Sequence, residues 1–170
     1  MLLGLVLFFA FSTYYLQHTH TLEPLTFRLI LSSHAALYVL SSFILAPIVA
    51  AHSERLLPIG VTALFAIYTL MYLASSVNEI PLPVFLACVL TMSTLYGALY
   101  GPSIQKTLQS ITRNPGLATS MLGTLQFTSV SIITTFAFSS GAAQINQYVL
   151  PLIILSGLSM FLMMYYRKSA

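Results

Sequence analysis

Apolar residues run along this chain in long stretches, separated by short polar joins rather than by regular alternation. Six stretches stand out, at residues 1–17, 26–50, 57–77, 80–101, 115–139 and 145–166. A helix crosses a bilayer core with about 20 predominantly apolar residues, so the pattern predicts six transmembrane helices. The joins at 18–25, 51–56, 78–79, 102–114 and 140–144 are short, which makes successive helices antiparallel. At about 1.5 Å per residue the first stretch covers about 25 Å. It falls just under a hydrocarbon core and reads as a helix whose beginning is missing. A transmembrane barrel would need segments of about 10 residues with alternating polarity. Runs such as 65–73 and 149–155 are too continuously apolar for that. The expected fold is all-α and integral to a membrane, one six-helix bundle over residues 1–170.

Composition sharpens this reading. Of 170 residues, 58% are hydrophobic and 5% charged, and mean hydropathy is +0.91. Soluble domains carry about 25% charged residues, so a soluble enzyme is excluded, and so is a disordered chain. The single Cys88 leaves no disulfide framework and no cysteine metal site. A formal charge of +3, from six basic and three acidic residues, is too sparse for a nucleic-acid surface. The first stretch lacks the basic start and small-residue cleavage site of a secretory signal.

The basic residues orient the bundle. Six spans put both termini on one side, and Arg55, Lys106, Arg113, Arg167 and Lys168 share that side. Only Arg28 lies opposite. Basic residues concentrate on the cytoplasmic face, so both termini are expected in the cytoplasm.

Few polar groups remain inside the spans. Glu23, Glu54 and Glu79 fall in joins or at span edges, leaving no carboxylate placed to carry protons through the bilayer. His34, Tyr38 and Ser41 or Ser42 share one helix face by spacing. That face either lines a water-filled path, with His34 binding substrate or a proton, or bonds a neutral histidine to a neighbouring helix. Ser93, Tyr96, Gly97 and Tyr100 form a second stripe. Its tyrosines suit an aromatic or cationic ligand. Alternatively, Tyr100 belongs to the interfacial aromatic belt and Gly97 with Gly101 forms a packing seam of small residues. Gly101-Pro102 is expected to end or kink its helix. The fifth span carries Thr119, Ser120, Thr124, Gln126, Thr128, Ser129, Ser131, Thr134 and Thr135, and such a helix should face protein or water. Gln126 is its leading ligand-facing group, with interhelical bonding as the alternative. The third and sixth spans carry fewer polar groups and suit the lipid-facing periphery. His18, His20 and Glu23 sit in an exposed join without a rigid frame, so no metal or other cofactor is expected. No catalytic triad, phosphate-cradling loop or zinc signature occurs, and an enzyme is not expected.

The segment Gly116-Leu117-Ala118-Thr119-Ser120-Met121-Leu122-Gly123-Thr124-Leu125-Gln126 resembles the signature G-x-A-[ST]-x-x-x-G-x-[LM]-Q. That signature opens the eleventh helix of Bcr/CflA-type transporters, proton-driven multidrug efflux carriers of the major facilitator superfamily. Ser12-Thr13-Tyr14-Tyr15-Leu16-Gln17 is similar to the S-P-F-V-L-Q that ends their seventh helix, with Thr13 in place of proline. Gly97 and Pro102 match the glycine and proline closing the tenth, with Ser103 where asparagine is usual. The resemblance covers the whole chain as the C-terminal six helices of a twelve-helix protein.

That resemblance implies a bundle that pairs with an N-terminal half and passes drug-like substrates between the halves by rocking. It implies that helices seven, eight, ten and eleven line the cavity while nine and twelve lie outside. The proton-coupling carboxylates would sit in the N-terminal half. Candidate substrate contacts are Tyr14, Gln17, His34, Tyr38, Tyr96, Tyr100 and Gln126, while Gly97, Gly101, Pro102, Gly116 and Gly123 shape the helices. Glu54 and Arg55 occupy the cytoplasmic gating join, which reads Ala51-His52-Ser53-Glu54-Arg55 where the family carries a glycine and several arginines. The expected role is half of an efflux carrier in the cytoplasmic (inner) membrane of a bacterium, completed by an N-terminal half. A self-associating pair of copies and a non-transporting remnant or interaction module are the other readings.

Overall fold

The computed structural model describes residues 12, 13, 15–17, 22–77, 80–109, 114–139 and 145–169. Among these residues all regular structure is helical. Residues 12, 13 and 15–17 are helical, followed by α1 (Pro24–Ile44), α2 (Ala46–Ala51), α3 (Ser53–Val77), α4 (Leu82–Gln109), α5 (Pro115–Ser139) and α6 (Ile145–Ser169). Among the described residues, three helical stretches are long and apolar enough to cross a membrane: Pro24–Ile44, Ser53–Ser76 and Leu82–Gln109.

Helix starts follow local chemistry. Pro24 opens α1, where a missing N–H costs nothing. The Glu23 carbonyl accepts the Phe27 amide at 3.0 Å. Asn114 precedes α5 with φ of 55°, a left-handed conformation that asparagine tolerates better than most residues. Its carbonyl accepts the Ala118 amide at 3.2 Å.

Three boundaries differ from the sequence expectation. The stretch 26–50 is divided at Leu45. Pro47 supplies no N–H, and its ring crowds the carbonyl four residues back. The path nevertheless continues, because Leu45 N–H donates to Ser41 O at 2.8 Å and Val49 N–H to Leu45 O at 2.9 Å. The join expected at 51–56 contracts to His52, since α3 already begins at Ser53. Glu54 in its first turn complements the positive end of the helix. Gly101-Pro102 does not end its helix: α4 continues to Gln109. One proline deletes a single backbone bond, and the helix goes on, with Ser103 Oγ donating to Leu99 O at 2.7 Å and Thr107 Oγ1 to Ser103 O at 2.8 Å.

The core forms around α4. Phe85, Val89, Met92, Ser93, Tyr96, Gly97, Ala98, Leu99 and Pro102 are all buried on it. Helix α1 packs along one side of α4 and α3 along another, α2 also touches α4, and α6 packs against α3. Leu57, Val61, Leu64, Tyr68 and Met71 form the buried stripe of α3, at the three-and-four spacing of one helix face. Tyr15 of the N-terminal segment stacks at a tilt on Phe85, ring centroids 4.6 Å apart. Among the described residues, helix α5 meets the others only lightly, through α4. The outward faces of α1, α3, α5 and α6 carry large apolar side chains, among them Phe43, Leu70, Phe127 and Phe161.

Candidate functional site

The two polar stripes foreseen on α1 and α4 meet each other. His34 is buried on α1, and its Nδ1 hydrogen-bonds Ser93 Oγ of α4. Ser93 Oγ also donates to Val89 O at 2.7 Å. One turn further along, Gly97 faces the Tyr38 carbonyl and Ser41 Oγ so closely that a Cβ there would collide with both. Ser41 is buried, and its hydroxyl donates to Tyr38 O at 3.0 Å. Tyr38 lies near enough to Tyr100 for the two phenols to interact electrostatically. Moving up α1 from His34 to Ser41 therefore moves up α4 from Ser93 to Gly97, so the two helices run parallel. A returning helix must separate them in sequence, and α3 supplies it: Gly60 opposes Leu99 while Tyr68 reaches back to Tyr96.

Tyr96 is buried and points the other way, its hydroxyl hydrogen-bonded to that of Tyr68 between α3 and α4. A buried hydroxyl needs a partner, because leaving one unmade costs about 1–3 kcal/mol. Tyr68 was not among the sequence candidates. The available signal was that it is the one hydroxyl-bearing residue in the apolar stripe of α3.

The remaining candidates scatter. Gln17 is exposed on the N-terminal segment, and Tyr14 lies outside the described residues. Gln126 is half-buried on α5. Gly116 and Gly123 of the same helix have nothing within 4 Å of where a Cβ would stand, so among the described residues the signature glycines are not packed on a neighbouring helix. Gly101 is likewise open. The close approach on α4 therefore belongs to Gly97, not to a seam that includes Gly101. Glu54 and Arg55 are exposed at the start of α3. His18 and His20 lie outside the described residues, and among those described no group of metal-ligating side chains occurs.

The hydroxyls of α5 are mostly engaged by their own helix. Thr119 Oγ1 donates to Pro115 O at 2.8 Å, Thr124 Oγ1 to Ser120 O at 2.9 Å and Thr135 Oγ1 to Ser131 O at 2.8 Å. Such back-bonding satisfies a hydroxyl without a neighbour. The hydroxyls of α5 alone therefore do not dictate what the helix faces. The amide of Gln126, with two donors and an acceptor, cannot be satisfied so simply.

Chemically, the site offers two half-buried phenols at Tyr38 and Tyr100 beside a buried polar contact. Phenol faces and hydroxyls suit flat, amphipathic or cationic molecules. Comparison with protein-family models, with curated proteins and with solved structures finds no match to this chain.

Proposed function

We propose that the chain is the C-terminal six-helix bundle of a multidrug efflux carrier of the major facilitator superfamily. It resides in the cytoplasmic membrane of a bacterium with both termini in the cytoplasm. It exports small amphipathic compounds by alternating access, together with a complementary N-terminal six-helix half that supplies proton coupling. It has no catalytic activity of its own. The observation that carries this reading is α5. The helix bears the Gly116–Gln126 resemblance, and among the described residues its Gly116 and Gly123 positions are left open. A helix whose signature glycines are unpacked suits a surface completed by another bundle. Gln17, which is exposed, and Tyr38, Tyr100 and Gln126, which are half-buried, are the accessible candidate substrate contacts in this arrangement.

The test is ethidium export from cells that express the chain with an N-terminal half of a Bcr/CflA-type carrier. Gln126→Ala should lower export about fivefold at equal expression, the effect of one hydrogen bond of about 1 kcal/mol. Unchanged export by that variant refutes the role of Gln126. A second copy of the chain is the other partner that the open α5 favours. Family-type bundles are related by an axis along the membrane normal, so two copies could pair in parallel. Without a buried carboxylate such a pair would conduct facilitated diffusion. Crosslinking in detergent separates the two partners, since a chain that stays monomeric at every concentration excludes the pair.

A further inference from the structure

The candidates on α1 and α4 divide into two kinds. Tyr38 and Tyr100 are half-buried. His34 and Ser93 are closed off from the surroundings, at 4% and 0% exposure, and are engaged with one another. Two parallel helices can slide by a turn and still bury similar apolar area, because their stripes repeat every three to four residues. Apolar packing alone thus specifies register weakly here. Two features on α4 break that degeneracy. Gly97 is the position where the α1 backbone comes close enough to exclude any side chain. Ser93, one turn earlier, accommodates the imidazole of His34. After a one-turn slide His34 would meet Val89 or Gly97, and neither offers a side-chain hydrogen-bond partner. The imidazole, which also bonds the Val89 backbone, would then lose its hydroxyl contact, and a lost polar contact is costly in an apolar interior.

We infer that the His34–Ser93 couple is a register lock: it sets which turn of α4 each turn of α1 meets, with Gly97 as the contact point. Its function is positioning. In register, Ser41 and the Tyr38 carbonyl meet Gly97, and Tyr38 is held near the Tyr100 phenol. Ser93 acts on the tyrosine pair only through this alignment. The link to substrate rests on the proposed transport role, but the lock itself does not, and its test reads helix alignment without transport.

The experiment uses the full chain in membranes, with Cys88→Ser to remove the native thiol. One pair, Tyr38→Cys with Tyr100→Cys, whose parent side chains lie near each other, reports the native register by crosslinking with a short bifunctional thiol reagent. A second, Tyr38→Cys with Ile104→Cys, reports a one-turn slide with the same reagent. A third, Gly60→Cys with Leu99→Cys, reports α3–α4 packing and serves as control. Adding Ser93→Ala should lower the ratio of native to slid crosslinks by roughly three- to tenfold, the range of one interhelical hydrogen bond in a membrane. Ser93→Thr, which keeps the hydroxyl, should restore the ratio. The control pair should be unaffected throughout. An unchanged ratio in Ser93→Ala overturns the lock. Equal loss in Ser93→Ala and Ser93→Thr does so too, because the hydroxyl would then not be the cause. A fall in the control pair alongside the others would mean general loosening and equally counts against a specific lock.

Discussion

At the scale of single residues, Gly97 and Gly101 separate cleanly although they look alike in sequence. Both lie on α4, four residues apart, and both are glycines in a helix interior. A Cβ at Gly97 would strike the Tyr38 carbonyl, a backbone atom that cannot rotate away. At Gly101 the same atom would meet nothing within 4 Å. Gly97→Ala should therefore force α1 from α4 at about 1–3 kcal/mol, the usual cost of overpacking. Gly101→Ala should be neutral or gain up to about 1 kcal/mol in helix propensity. Thermal unfolding in detergent measures both. A lower Tm for Gly97→Ala with no loss for Gly101→Ala is expected, and equal losses would contradict the close approach at Gly97. The spacing of His34, Tyr38 and Ser41 was legible in the sequence, as was that of Ser93, Tyr96, Gly97 and Tyr100. Which surface each residue meets was not. Periodicity fixes a face within one helix, whereas the partner of that face depends on how helices are arranged around it. So His34 is found bonded to Ser93, and Tyr96 to Tyr68, a residue distinguished in spacing only by its place in an apolar stripe.

At the scale of elements, apolar length carried most of the information. The stretches at 57–77, 80–101, 115–139 and 145–166 each fall within or nearly within a helix, because few charges interrupt them. Proline was the less legible signal. Pro47 divides the second stretch, while Pro102 and Pro151 sit inside continuous helices. A proline removes one hydrogen bond wherever it occurs, and packing decides whether the helix carries on. Among the described residues, helix α5 stands apart from the others by its light contact with them. Local stability follows packing, so its backbone amides should exchange faster than those of α4 in the isolated chain. Hydrogen exchange followed by mass spectrometry tests this. Protection of α5 should rise when an N-terminal half is bound. Equal protection of α4 and α5 in the isolated chain would contradict the loose attachment of α5.

At the scale of the whole molecule, α4 is the hub of the described helices and α5 the least packed of them. Parallel α1 and α4, with α3 returning between them, form a unit tied by one polar couple on each flank of α4. The α3–α6 pair carries an outward apolar face through Leu70, Ile154, Leu158 and Phe161, which suits contact with lipid. Among the described residues this leaves a closed core on one side and a lightly packed α5 on the other, the feature on which the proposed half-carrier role rests. The most direct test is active ethidium export from inverted-free, intact cells lacking other efflux pumps, expressing the chain alone, the N-terminal half alone, or both. The account predicts energy-dependent export only when both are present. Energy-dependent export by the chain alone, or none with both halves stably in the membrane, would contradict it.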